Sequence, residues 1–395
     1  MEKTWRWFGL KDRITLDMLN QIGVEGVVTA LYNVPNGEIW SIEEISNLKN
    51  YIESNSLKWS VVESLPVSEA IKYGGADRDR LIENYKTSLH NLAEAGVKTV
   101  CYNFMPIIDW IRTDLMYPLP DGTFTLYFDK IRFGYFDCFI LKRKGAEADY
   151  TQEELHQINQ LDKVITKKEK DDLIYTIIIK TQGFVSGNFN ENTSDPVALF
   201  NSLLSLYSGL GKEQLRENFK YFLERIIPVA EQCGIKMCVH PDDPPFSVLG
   251  LPRIVTCEED IDWILNAVDN IYNGLTFCTG SLSTGLHNNV PELAKKFASR
   301  THFVHLRSTE VLDNGNFLES SHLEGRGELL EVIRIFERQN TGLPMRVDHG
   351  KLMSDDVDKP DNPGYSFLGR MYALGQVSGL LAAVKDELQR ENNNK

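Results

Sequence analysis

CGIKMCVHP (Cys233–Pro241) holds the plan of the chain in one short run. A glycine after a helix-like stretch supplies a left-handed cap. An apolar, β-rich run follows and breaks at a polar residue and a proline. The same unit returns as IGVEGVVTALYN (Ile22–Asn33), AGVKTVCYNFM (Ala95–Met105), NGLTFCTGS (Asn273–Ser281) and TGLPMRVDHG (Thr341–Gly350). LKWSVVESLPV (Leu57–Val67) and THFVHLRS (Thr301–Ser308) are strands of the same type without the glycine, and TWRWFG (Thr4–Gly9) reads as a first strand. Helix-like stretches follow the strands near Thr15–Ile22, Ser41–Ser54, Asp79–Ala95, Lys212–Gln232, Glu258–Asn270, Val290–Ala298, Glu328–Gln339 and Ser366–Arg390. Eight strand–helix units with no early GxGxxG predict an α/β fold of the (β/α)₈ TIM-barrel type rather than a Rossmann sheet.

The spacing of the units is uneven. Strand starts lie roughly 20 to 40 residues apart, except between the fourth and fifth, where the gap is about 140. The excess, about residues 111–205, reads as an insertion in a single barrel domain spanning 1–395. Its first part, Thr123–Leu141, alternates and is aromatic, which predicts a hairpin; its second, Ala148–Lys180, is charged and predicts helices. An insertion leaving the catalytic rim suits a lid or an oligomer contact, or a surface elaboration with no chemical role. The tail, Gln389–Lys395, is expected to fray.

A net charge of −14 and a pI of about 5.1 repel phosphate backbones and acidic bilayers, so no nucleic-acid or membrane partner is expected. MEKTWRWFGLKDR lacks the apolar segment of a signal peptide, and no run of 18 apolar residues predicts a membrane-spanning helix. Six scattered cysteines with no CxxC read as reduced thiols in a cytoplasm.

Four of the strands end in a residue able to bind a metal: His240, Cys278, His305 and Asp348. Strand ends of a parallel barrel converge on one rim, so residues spread over a hundred positions can meet at one ion. Each has a plainer reading alone: a satisfied polar histidine, a small buried cysteine, an aspartate helix cap. Four consecutive strands ending this way favour the metal site. Two imidazoles, a thiolate and a carboxylate suit Zn²⁺, Fe²⁺ or Mn²⁺ better than Mg²⁺ or Ca²⁺, and open positions beyond four protein ligands favour Mn²⁺ or Fe²⁺. Cys238, two residues below His240, reads as core. Arg346 and Lys236 read as charges inside the barrel that need partners. His349 stays at the rim beside Asp348, and Tyr365 follows a Pro-Gly turn that brings it back over that loop. Arg307 is a candidate for a substrate carboxylate, or else bridges to an acid in the loop that follows it. Asn103 and Asp109 are weaker candidates for substrate contact.

The opening WRWFG, YNFMPIIDW, VHPDDPP, FCTGS, FVHLR, RVDHG and the Pro-Gly-Tyr-Ser stretch resemble the mannonate dehydratase family, from residue 5 to about 376. VHPDDPP and VDHG in this order are specific. The resemblance implies a xylose-isomerase-like barrel, elimination of water from D-mannonate to 2-dehydro-3-deoxy-D-gluconate, and Mn²⁺ or Fe²⁺ at His240, Cys278, His305 and Asp348. It also implies His349 and Tyr365 as the acid/base pair, and a homodimer or higher homo-oligomer. The chemistry fits those residue types. A metal holding the carboxylate and a neighbouring hydroxyl offsets the charge that builds when C2 loses its proton. A neutral histidine and a tyrosine of lowered pKa would divide proton removal and hydroxyl protonation. A metal-dependent sugar isomerase or epimerase on the same barrel is the alternative, because fold alone does not choose between them.

Overall fold

The computed structural model describes residues 1–183, 189–339 and 342–393. Its strands are β1 (Glu2–Arg6), β2 (Gly26–Thr29), β3 (Lys58–Glu63), β4 (Thr99–Tyr102), β5 (Asp114–Pro118), β6 (Phe124–Phe128), β7 (Lys236–Val239), β8 (Asn273–Cys278), β9 (Thr301–Leu306), β10 (Ser308–Val311), β11 (Phe317–Ser320) and β12 (Pro344–Val347). Eight of them close a parallel barrel in the order β1-β12-β9-β8-β7-β4-β3-β2. These are the eight runs read from the sequence, and a helix follows each, from Leu16–Gln21 after β1 to Phe367–Asn393 after β12.

Alternation along the strands sorts the side chains into two layers. Val28, Val61, Cys101, Cys238 and Phe303 fill the barrel interior, which makes Cys238 the core residue expected. Their strand neighbours, among them Val27, Val62, Met237, Val239 and Val304, pack outward against the helices in the main core. Lys236 is exposed at the strand's lower end and is not a charge inside the barrel. Glycines 23, 96 and 234 take the left-handed conformation of helix caps. Gly274 does not. It lies within β8, where a Cβ would meet the His302 ring at 2.2 Å, so it is needed for close approach between strands.

Between β4 and β7 the chain builds a second core from Phe128, Phe133, Phe136, Ile177, Phe200 and their neighbours. The hairpin here is β5–β6, earlier than the alternation of Thr123–Leu141 suggested. From Lys130 the chain is helical, because Asp129 caps the amides of Ile131 and Arg132 at 2.9 Å. The charged stretch is helical, as its composition suggested, with capping boxes at Thr151/Glu154 and Thr166/Glu169. A second hairpin, β10–β11, follows β9 and was not foreseen. The two hairpins join as one antiparallel sheet, β10-β11-β6-β5. Helix Phe367–Asn393 runs through the tail expected to fray; Asn394 and Lys395 lie outside the described residues. By length and composition it is the one helix among the described residues apolar enough to cross a bilayer. Its inner face, including Ala373, Leu374, Val377 and Leu381, is buried on the barrel core.

Candidate metal centre and acid–base pair

Pairing in the barrel sets the depth of each site residue. Cys278 is the cross-strand partner of His305, and His305 is in turn the partner of Arg346. Asp348 therefore stands one pleat above the other candidate ligands on its side rather than level with them. His240 follows β7, held by its amide donating to Tyr102 O at 2.7 Å.

Ligand atoms of His240, Cys278 and His305 lie within 4.8 Å of one another. His240 Nε2 is 3.1 Å from His305 Nδ1. Asp348 Oδ2 lies 3.8 Å from Cys278 Sγ and 3.9 Å from His305 Nδ1, beside the three. The electrostatics suit a cation. Burial resists a thiolate at Cys278, but Arg307 and His240 outweigh it and hold the thiol well below its usual range. Burial likewise resists charge on His240, yet Cys278 pushes it up to about 10. The Ser281 amide and hydroxyl sit 3.5 and 3.2 Å from the sulfur as donors. His240 Nδ1 is 2.6 Å from Pro241 O, which places its proton there and turns Nε2 to the cluster. A thiol held low beside two imidazoles is a donor set that would suit a transition-metal or zinc ion, to which it would supply sulfur and nitrogen ligands.

Around this cluster lies a frame of buried ion pairs. Glu63, at the end of β3, takes Arg346 Nη2 and Nε at 2.9 and 3.0 Å and Arg6 Nη1 at 2.5 Å. Arg346 Nη1 also donates to Asp348 Oδ1 at 2.5 Å, so the charge expected inside the barrel finds its partners above and across it. Arg307 donates to Asp348 Oδ2 at 2.7 Å, to Glu319 Oε1 at 3.2 Å and to Asp243 Oδ2. Its guanidinium is thus engaged by three carboxylates, the bridging role the sequence left open, with Glu319 on the hairpin that follows it. Arg112 pairs with Asp243 at 3.0 Å and with Glu319 at 2.6 Å.

His349 and Tyr365 stand together over this frame. Their rings meet edge to face with centroids 5.0 Å apart, and Trp110 covers His349 at 5.0 Å. Gly364, with φ +81°, lets the loop pass over His349, where a Cβ would meet Cγ at 2.7 Å. His349 Nδ1 is 2.7 Å from Glu319 Oε1, and its Nε2 is 3.7 Å from Asp348 Oδ1. The Tyr365 hydroxyl donates to Asp348 Oδ1 at 3.4 Å. Its pKa is raised, not lowered as the chemistry suggested: burial and the Asp348 charge outweigh Arg346 and Arg6. Asn103 donates to Asp109, and both face the same cavity, which Arg6, His240 and Asp348 also border.

The nine sequence candidates, Asp109 included, therefore meet at one rim. Sequence reading missed Glu63, Asp243, Arg6 and Glu319. Glu63 and Arg6 were legible in principle as charges ending strands, and Asp243 stands within VHPDDPP. Glu319 gave no signal, because the hairpin that carries it was not foreseen.

The family model described as D-mannonate dehydratase (UxuA) matches residues 1–391. A mannonate dehydratase of Marinomonas sp. (strain MWYL1) is 44% identical over 398 residues, covering 98% of this chain and 100% of its own. That of Chromohalobacter salexigens is 43% identical, covering 98% and 99%. The crystal structure of mannonate dehydratase from Streptococcus suis serotype 2 superposes with a TM-score of 0.79 at 32% identity, covering 98% of this chain and 96% of that one. A D-tagatose 3-epimerase-like protein, 12% identical with a TM-score of 0.53, covers 98% and 100% and shares the fold.

Proposed function

The chain belongs to the D-mannonate dehydratase family, and we propose that its hydro-lyase reaction runs at the rim formed by His240, Cys278, His305, Asp348, His349 and Tyr365. The reaction takes water from D-mannonate to give 2-dehydro-3-deoxy-D-gluconate, a step of hexuronate breakdown. His240, Cys278, His305 and Asp348 would hold a divalent metal, Mn²⁺ or Fe²⁺. When bound, the metal supplies a Lewis acid that offsets charge developing at the substrate carboxylate and its neighbouring oxygen. His349 takes the C2 proton at Nε2. Tyr365, kept protonated by burial, gives its phenolic proton to the departing C3 hydroxyl. Arg307 acts on the substrate through the carboxylates it orients, and Asn103 offers an amide to a sugar hydroxyl. Trp110 excludes water from the His349 side of the cavity.

The observation that supports this most is the edge-to-face His349–Tyr365 pair above Asp348, beside a thiol–imidazole cluster. Chelator-stripped protein incubated with D-mannonate should form a 2-keto-3-deoxy sugar acid only when Mn²⁺ or Fe²⁺ is restored. Metal-bound protein that leaves D-mannonate unchanged but interconverts aldoses and ketoses would overturn the proposal. We further propose a cytoplasmic homodimer or higher homo-oligomer with no nucleic-acid or membrane partner; sedimentation at micromolar concentration reads the assembly directly.

A further inference from the structure

We propose that Glu319 is a positioning residue for His349, fixing the tautomer that leaves Nε2 free to take the C2 proton, and that the segment between β4 and β7 serves to hold it there. This rests on the reading of His349 as the group that takes that proton. Glu319 Oε1 accepts from His349 Nδ1 at 2.7 Å, from Arg112 at 2.6 Å and from Arg307 at 3.2 Å. Two buried guanidinium groups keep this oxygen an ionised acceptor. An ionised acceptor demands a proton on Nδ1. The neutral ring then carries its lone pair at Nε2, on the side of Asp348 and the cavity. A carboxylate behind a catalytic imidazole orients the ring and offsets the charge it gains on taking a proton.

Three contacts from the β4–β7 segment place Glu319. β11 pairs with β6 through Phe317↔Phe128 and Leu318↔Tyr127. Thr125 Oγ1 donates to the Glu319 carbonyl at 2.7 Å. Arg112, fully buried at the start of the segment, ties the carboxylate to Asp243. The segment is on this account part of the proton-transfer apparatus, through the sheet it shares with β10–β11.

The test compares E319Q, H349N and the double variant, loaded with Mn²⁺, in D-mannonate dehydration. E319Q should lower kcat by about 100-fold, with KM and bound Mn²⁺ within about threefold of wild type. In the H349N background it should cost nothing further, because the residue it positions is gone. A purely structural carboxylate would instead lower metal content and kcat together, and its effect would multiply with that of H349N. That result, or E319Q turnover within about threefold of wild type, overturns the inference. Should E319Q not fold, E319D keeps the charge while withdrawing it from Nδ1, and must show the same kcat loss at unchanged KM. Full activity in H349N would refute the role of His349 itself, an outcome distinct from active E319Q beside inactive H349N.

Discussion

His302 sits at the lower end of β9, far from the rim, and makes folding stability depend on pH. Its ring is 3% exposed, lies against Gly274 of the neighbouring strand and has Nε2 2.7 Å from Ile271 O. Burial lowers its pKa from 6.5 to about 4; the Ile271 hydrogen bond opposes this, and Lys236 and Arg300 reinforce it. The sign follows from which state binds the proton. Above pH 6.5 both folded and unfolded chains hold the ring neutral, and its contribution is complete. Between 6.5 and 4 only the unfolded chain takes up the proton, so stability falls as the pH drops. At about 1.36 kcal/mol per pH unit the full loss approaches about 3 kcal/mol, of which about 1.4 kcal/mol has gone by pH 5.5. His302→Gln keeps a donor for Ile271 O and removes the titration. Urea midpoints of wild type and variant, measured at pH 7.5 and 5.5 with equal slopes, should diverge by that amount. The variant should keep its dehydratase activity at pH 7.5, because His302 touches nothing at the rim. Superimposable pH dependences would refute the placement of a neutral, buried imidazole beneath the barrel.

Two further outcomes concern the rim. Tyr365→Phe should lower kcat by about 10²–10⁴-fold while bound metal, read by elemental analysis, stays at the wild-type level; near-normal turnover would remove Tyr365 from the mechanism. Cys278→Ala removes the thiolate that Arg307 and His240 stabilise. Metal affinity should drop by at least about 100-fold, and a variant that still titrates with one Mn²⁺ at wild-type affinity would show that the cluster is not the metal site.

The barrel was legible because its strands carry the signal that decides burial. Runs such as Met237–Val239 and Val100–Tyr102 are apolar on both faces, the pattern of a parallel strand covered on both sides. The candidate ligands were legible for a related reason: a polar residue ending such a run has to sit at the rim. What was hidden depends on partners distant in sequence. Cys278 and His305 are level because their strands pair, but Asp348 stands a pleat higher, and no local spacing contains that offset. The alternation in Thr123–Leu141 was real, yet past Asp129 it belongs to aromatic side chains of a helix packed in the second core. The upward shift of Tyr365 arises from burial beside a carboxylate, which appears only once the loop has folded back. Arg307 could be given both its fates from the sequence; choosing between them required knowing that Asp243, Glu319 and Asp348 all arrive at the same guanidinium.

The closure of the barrel between β1 and β12 has a consequence for how the protein is made. Glu2 pairs with Pro344 and Thr4 with Arg346, so the seam joins segments more than three hundred residues apart. During synthesis, residues Pro344–Val347 emerge after every other strand. Until they do, β1 and β9 each present an unpaired edge, the kind of surface on which nascent chains associate wrongly or are held by chaperones. The same short strand brings Arg346 to Glu63 and leads directly into Asp348. A ribosome-bound chain that has not yet released it holds two imidazoles and a thiol without their carboxylate. Protection of the sheet edges and completion of the proposed metal site thus arrive together, with the last strand.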